Sequence, residues 1–168
     1  MTVYHLVPSI FYYTFGPHEP ALRVRSGDTI IAETRDSSGF DKHREALPEG
    51  MKQHISGTTL RESNPCVGPI YVEDAAEGDL LAVHIRRVAP NRDWGFSKQT
   101  ANFGSLTGEV PGRMMSYNAP IETRFTDWRI DRERNLAIVE LPNSRLGRAE
   151  VPMHPFLGSI GVAPRFGR

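Results

Sequence analysis

The first residue that could take part in catalysis or metal binding is Asp36. It lies in residues 34–41, where a predicted strand is followed by acidic and small polar side chains. A strand fixes the position of a carboxylate at its end, while the following loop keeps that carboxylate in contact with water. Such a group can be a hard-oxygen metal ligand or a general base. The alternative is an Asx turn that only ends the strand, because Asp side chains often accept hydrogen bonds from nearby backbone amides.

The second candidate for a functional segment is residues 64–69, a rigid turn that leads into a predicted strand. Its two prolines fix φ and Gly68 permits close backbone approach, so the segment could present backbone amides to a substrate. If Asp36 is a site residue, it should lie beside this turn. Cys66 could act as a nucleophile only if a base lowered its pKa, and no pattern pairs it with a particular histidine. The alternative is a buried, unreactive thiol.

The six histidines do not define a metal site, because none lies at a spacing typical of zinc ligands. His84 is in register with the apolar positions of a predicted strand, which favours a hydrogen-bonded, half-buried side chain. The sequence contains no phosphate-binding glycine loop and no HExxH, CxxC or GxSxG motif. Aromatic and basic side chains between Arg92 and Lys98 could stack on a nucleic-acid base, but on a neutral protein we expect them to order their own loop.

Short strands must position these residues, because 15 glycines and 13 prolines are spread along the 168-residue chain. The predicted strands are residues 3–7, 21–25, 29–34, 69–72, 80–88, 124–130, 135–141 and 159–163. Turns at Gly27-Asp28 and Gly78-Asp79 predict two similar hairpins. Residues 41–52 can form at most a turn or two of helix, since Pro48 and Gly50 interrupt them.

The predicted fold class is therefore mainly β, a barrel-like or sandwich-like arrangement of short strands with long loops and little helix. No compositional break demands two domains, so residues 1–168 are predicted to form a single all-β domain. The loops at residues 35–64 and 90–112 are long enough to build a site.

Charge and composition exclude several classes of partner. The formal net charge is +0, whereas nucleic acids and anionic membranes are bound through a positive field. No apolar stretch approaches the roughly 20 residues of a membrane span. Since the chain has one cysteine and no recognisable signal peptide, a cytoplasmic enzyme or binding protein is the best interpretation.

Four segments, in this order, resemble the acetamidase/formamidase family of amide hydrolases: residues 26–39, 64–79, 102–106 and 154–164. Two of them are specific. Residues 64–69 match the family's Asn-Pro-x-x-Gly-Pro, and residues 155–164 match its Pro-x-x-Gly-x-Ile-Gly-Val-Ala-Pro. The resemblance runs from about residue 20 to residue 164 and is to the N-terminal half of such enzymes, whose later polar motifs are not found in this sequence.

The resemblance implies hydrolysis of a short linear amide, such as formamide or acetamide, to a carboxylic acid and ammonia. It also implies a divalent metal such as Zn or Ca, with no nucleotide or organic cofactor. By the same resemblance, Asp36 is expected to have a catalytic and metal-binding role. Asn64 is also predicted to be catalytic, and Gly68 and Gly104 are predicted to bind substrate. The alternative is a non-catalytic binding or assembly module derived from the same fold.

The chain is predicted to need a partner, either in a homo-oligomer or as a polypeptide that supplies the C-terminal half. Residues 159–163 are apolar at almost every position, which is typical of a strand covered on both faces. Either the centre of the protein's own barrel or a partner surface could provide that cover.

Overall fold

The fold is that of a computed structural model, which describes residues 1–53, 63–99 and 122–164. The regular elements within these ranges are β1 (Val3–Leu6), β2 (Leu22–Val24), β3 (Thr29–Ala32), a short 3-10 helix (Glu49–Met51), β4 (Ile70–Val72), β5 (Trp94–Gln99), β6 (Arg124–Asp131), β7 (Leu136–Leu141) and β8 (Gly147–Pro152). The predicted mainly β class is confirmed, and the strands of the described part lie in small open sheets rather than a closed barrel. The 3-10 turn is the part of the predicted helical segment that forms.

The chain divides into two compact units: Met1–Asn91 with Phe156–Arg168, and Arg92–Pro155. Each unit has strands and buried residues of its own. The prediction that residues 1–168 form a single all-β domain stays a prediction.

In the first unit, the strands pair in parallel between distant segments: β1 with β3, and β2 with β4. The prediction that β2 and β3 form a hairpin is wrong, although the tight turn between them exists, with Asp28 N donating to Arg25 O over 3.0 Å. The Asp28 carboxylate accepts a hydrogen bond from Thr2 N at 2.7 Å, and Thr29 N donates to Thr2 O at 2.9 Å. These bonds hold the turn and β3 against the start of β1, and β2 pairs with β4 instead of β3.

Two predicted strands of the first unit are absent. Residues 80–88 and 159–163 have no regular secondary structure. Their apolar side chains are exposed, with 59% of Ile160 and 66% of Val162 accessible. The residue pattern is strand-like, but no hydrogen-bonded strand partner is described for either segment, and a strand without a neighbour is not assigned.

The buried apolar side chains described in the first unit are Leu6 on β1, Phe11 in the segment that follows it, Val24 on β2 and Leu47. Phe11 N donates to Met51 O at 2.7 Å, which brings the 3-10 turn against this segment. The same stretch of chain therefore supports the loop that follows β3.

The second unit is an antiparallel sheet in the order β5-β6-β7-β8. The predictions for β6 and β7 are confirmed within a residue, as is the charged turn between them. The sequence pattern does not reveal β5 and β8, because glycine and charged residues break their apolar periodicity. Ile138 and Val139 on β7 form the buried centre of this sheet.

Candidate functional site

The loop after β3 is organised by the carboxylate of Asp36. Its Oδ1 accepts hydrogen bonds from Ser38 N at 2.8 Å and Phe40 N at 3.1 Å. The backbone closes the same loop, since Asp36 N donates to Phe40 O at 3.1 Å and Gly39 N donates to Asp36 O at 2.9 Å. Gly39 has φ +85°, a conformation that favours glycine. The side chain therefore forms the Asx turn that is the alternative to a catalytic role.

The turn at residues 64–69 lies beside this loop, because Asn64 N donates to Ser37 O at 2.8 Å. The structure thus brings the segments of Asp36 and Asn64 together, as the sequence leads us to expect. Asn64 itself has φ +58°, a left-handed conformation that Asn tolerates better than most residues. This proximity does not test a catalytic role for either side chain, and those roles stay predictions.

Cys66 lies in the same turn and has the environment of an unreactive thiol. Its backbone pairs with Tyr12, with N to O distances of 2.7 and 3.3 Å, and Cys66 Sγ donates to Asn64 O at 3.5 Å. Burial raises the pKa of the thiol. Because the thiolate is the nucleophilic form, this environment does not activate Cys66.

Two glycines, Gly68 and Gly104, are predicted to bind substrate. Gly68 is buried with φ +126°, and a Cβ added there would lie 3.4 Å from Ile70 N. Its backbone conformation therefore requires glycine. Gly104 lies outside the described residues.

The described residues do not fit the predicted metal. No group of three or more His, Cys, Asp or Glu side chains that could hold an ion occurs within residues 1–53, 63–99 and 122–164. Asp36 already uses Oδ1 to accept two backbone hydrogen bonds. No catalytic step is therefore assigned to a metal.

A cleft of about 200 Å³ lies beside the loop organised by Asp36. Its polar lining consists of Glu33, Thr34, Arg35, Asp41, Lys42 and Asn91, and its apolar lining of Leu6, Val7, Pro8, Phe11 and Met51. Thr34, Arg35 and Asp41 belong to the segment at residues 34–41 that the sequence pattern indicates, whereas it does not single out Glu33, Lys42 or Asn91. Glu33 and Arg35, which flank Thr34 just after β3, are the available signal, since they lie at the strand end where a carboxylate is expected.

One side of the cleft is a cluster around Glu33. Its Oε1 accepts hydrogen bonds from Asn91 Nδ2 at 3.0 Å and Lys42 Nζ at 3.2 Å. These two bonds, that from Asn91 first, hold the pKa of Glu33 below its ordinary value. The cleft therefore contains an ionised acceptor next to an amide and an ammonium donor.

Around Arg35, in contrast, a cationic side chain is surrounded by oxygen acceptors. Its Nη1 donates to Gly39 O at 3.1 Å and Glu45 O at 2.9 Å, and Nη2 lies 3.9 Å from Asp41 Oδ2. Hydrogen bonds from the backbone amides of Glu45 and His43, the former the stronger influence, lower the pKa of Asp41. The guanidinium is thus held by the loop itself, and its position depends on the loop's conformation.

Acid is expected to destabilise the protein through Glu33 and Asp41. Both have a lower pKa when folded than when unfolded, so their contribution is present above the unfolded pKa and is lost as pH falls through the folded pKa. We expect the urea midpoint to be steady near neutral pH and to fall below about pH 4.5. In Glu33→Gln, which cannot ionise there, the fall should be smaller; an identical profile in the variant would contradict this role of Glu33.

Comparison with known proteins agrees with the family expected from the sequence motifs. Residues 16–166, most of the chain, match a model of a family of amide hydrolases. That family is the acetamidase/formamidase family, and the chain belongs to it. Searches of curated proteins and of solved structures each gave no match. Among the described residues, no helix is both long and apolar enough to cross a membrane.

Proposed function

We propose that the protein hydrolyses a short linear amide, such as formamide or acetamide, to the carboxylic acid and ammonia. Membership of the acetamidase/formamidase family carries this proposal. A cytoplasmic location is part of the same proposal. The cleft supports it because donors and acceptors lie within a small volume next to apolar side chains.

The chemistry of the cleft suits both ends of an amide group. The carbonyl oxygen of an amide accepts hydrogen bonds, which Arg35 and Lys42 can donate, and its NH₂ group donates hydrogen bonds, which the Glu33 carboxylate can accept. The methyl group of acetamide can lie against Phe11. A volume of about 200 Å³ admits such a molecule together with water.

Hydrolysis adds water to the carbonyl carbon and breaks the C–N bond, and the nitrogen leaves as ammonia after it is protonated. Cationic donors that meet the carbonyl oxygen lower the barrier most when negative charge develops there in the transition state. We assign this role to Lys42 and Arg35. Glu33 orients the NH₂ group, and Asp36 positions Arg35 through the loop.

The catalytic set is proposed to be completed from outside the described ranges, by other residues of the polypeptide or by a partner. Two observations support this. The one cysteine is held as a thiol by burial, and the described part provides no group of metal ligands. We propose that the group that protonates the leaving nitrogen is among these outside residues.

Replacing Lys42 by methionine is expected to lower kcat/KM for formamide and acetamide by about tenfold, because one donor to the developing oxyanion is lost. Ammonia release should be measured by a coupled assay. Lys98→Met, which removes an exposed lysine of the other unit, is the matched control and should leave the rate unchanged. Full activity in Lys42→Met would remove Lys42 from the site, and failure of the wild type to release ammonia from a panel of short amides would overturn the proposed function.

The same cleft without a complete catalytic set would be a binding module, which is the second candidate. The thiol state of Cys66 and the lack of a metal-ligand group in the described part of the chain favour it. Calorimetric titration with acetamide separates the two: a module binds the amide without releasing ammonia, whereas an enzyme turns it over.

A further inference from the structure

Residues 79–87 form an exposed apolar segment of the first unit. Leu80 is 98% exposed, and three side chains at alternating positions, Leu81, Val83 and Ile85, are 47%, 57% and 57% exposed. No regular secondary structure is assigned here, and no backbone hydrogen bond is described for residues 80–87. The sequence has the β-branched character of a strand, yet the structure shows no described neighbour for it.

The beginning of this segment is anchored by Asp79. Its backbone N donates to Ala76 O at 3.1 Å, and its Oδ2 accepts from Ala76 N at 2.8 Å. Near the other end, Arg86 Nη1 lies 3.5 Å from Thr29 Oγ1 of β3. The segment is thus tied to the first unit at both ends while its apolar side chains face solvent.

The sequence of this segment is complementary to itself when read in the opposite direction. In an antiparallel pair centred on Val83, Leu81 of one chain lies opposite Ile85 of the other, and Asp79 lies opposite Arg87. Opposite charges and apolar side chains directly across an antiparallel pair each stabilise it. Because the pair is two-fold symmetric, the Leu81–Ile85 and Asp79–Arg87 contacts each occur twice, and Val83 meets its own copy on the axis.

Neighbouring registers lack this complementarity. A centre moved by one residue toward the N-terminus places Asp79 opposite Ile85. A centre moved by one residue toward the C-terminus places Leu81 opposite Arg87. The pattern of charges and apolar residues therefore specifies one register about Val83.

We propose that residues 79–87 are a dimerisation strand, which pairs antiparallel with the same residues of a second copy of this chain. Backbone hydrogen bonds between the two copies provide the strand partner that is not described within one chain. Along one face of the pair, Leu81, Val83 and Ile85 of each copy pack beside the same side chains of the other copy. The inference does not depend on the proposed amidase activity. A single strand pair is a small interface, so the dimer is expected to form at about 100 μM and to dissociate on dilution to about 1 μM.

Charge reversal tests the register. Arg87→Glu places a carboxylate of each copy opposite Asp79 of the other, and Asp79→Lys places an ammonium opposite Arg87, so each variant alone should dimerise at least about tenfold more weakly than the wild type. In a mixture of the two variants, the introduced lysine faces the introduced glutamate and the native Arg87 faces the native Asp79, so a heterodimer should form. Arg145→Glu, at an exposed turn of the other unit, is the matched control and should dimerise normally.

Sedimentation velocity of the wild type, of each variant and of the mixture measures these outcomes, and circular dichroism confirms that each variant is folded. Asp79→Asn, which retains an acceptor for Ala76 N, separates the effect of charge from damage to the turn. A wild type that stays monomeric at about 100 μM would overturn the proposal. So would a dimer that both charge variants leave intact, since another surface would then hold it together.

A cross-link tests the symmetry directly. In a background with Cys66→Ser, Val83→Cys places the two new thiols opposite each other on the two-fold axis, within reach of a disulfide. Mild oxidation should give a covalent dimer, whereas Leu80→Cys should give much less, because its partner across the pair is Arg86. Equal cross-linking at both positions, or protection of residues 80–85 from hydrogen exchange in a monomer, would contradict the proposed pairing.

Discussion

Replacing Ile138 by alanine is expected to lower the free energy of unfolding by about 3 kcal/mol, within the range observed when a large aliphatic side chain is removed from a core. Ile138 is 2% exposed and lies in the middle of β7. It is paired with a residue on each adjacent strand, Arg129 on β6 and Glu150 on β8. The neighbouring strands hold the residues around Ile138 in place. These residues can therefore fill only part of the cavity that the alanine substitution leaves.

Urea unfolding at neutral pH measures this loss. Ile138→Val should cost only about 1 kcal/mol, since it removes a single methylene. Leu146→Ala is the matched control, because Leu146 is 65% exposed in the turn before β8 and surface changes usually stay within about 0.5 kcal/mol. A loss in Ile138→Ala no greater than that in Leu146→Ala would show that β7 is not the core of this unit.

The strands β6 and β7 around Ile138 are predictable because their signals are local. In β7, apolar residues occupy both faces, and the charged turn before it is explicit in the sequence. Antiparallel neighbours joined by a short turn need little more than this to be located. β8 carries few apolar residues and depends on β7 for its hydrogen bonds, so its own sequence does not reveal it.

The first unit is less predictable because its pairings are long-range. The sequence locates β2, β3 and β4 but not their partners, since parallel pairing joins residues far apart in the chain. Contacts such as Thr2 N to the Asp28 carboxylate decide the pairing, and no local pattern encodes them. For the same reason, the apolar character of residues 159–163 predicts a strand without showing whether a neighbour exists.

The candidate site is half predictable. Residue type identifies Asp36 and the turn at residues 64–69, and the structure places them side by side. Of the groups that line the cleft, Glu33, Lys42 and Asn91 were missed, because Asn91 and Lys42 reach Glu33 from separate segments of the chain. A single sequence shows which carboxylate follows a strand, but it does not show which donors fold against that carboxylate.

Replacing Asp36 by alanine is expected to lower kcat/KM for short amides by about 100-fold, because a small misplacement of positioning groups can cost that much. The Asx turn holds the loop that carries Arg35 on one side and Asp41 on the other. Without the Oδ1 acceptor, Ser38 N and Phe40 N lose their partner, and the loop no longer fixes the guanidinium at the cleft.

Asparagine at the same position separates a positioning role from a catalytic one. Asp36→Asn keeps an oxygen that can accept from Ser38 N and Phe40 N but removes the negative charge, so a positioning residue should retain nearly full kcat/KM in this variant. A metal ligand or general base would lose about as much activity in Asp36→Asn as in Asp36→Ala, since both functions need the carboxylate. Ammonia release by both variants, measured with urea midpoints, therefore decides between them. We expect rescue by asparagine, because the structure shows the Oδ1 of Asp36 engaged with its own loop.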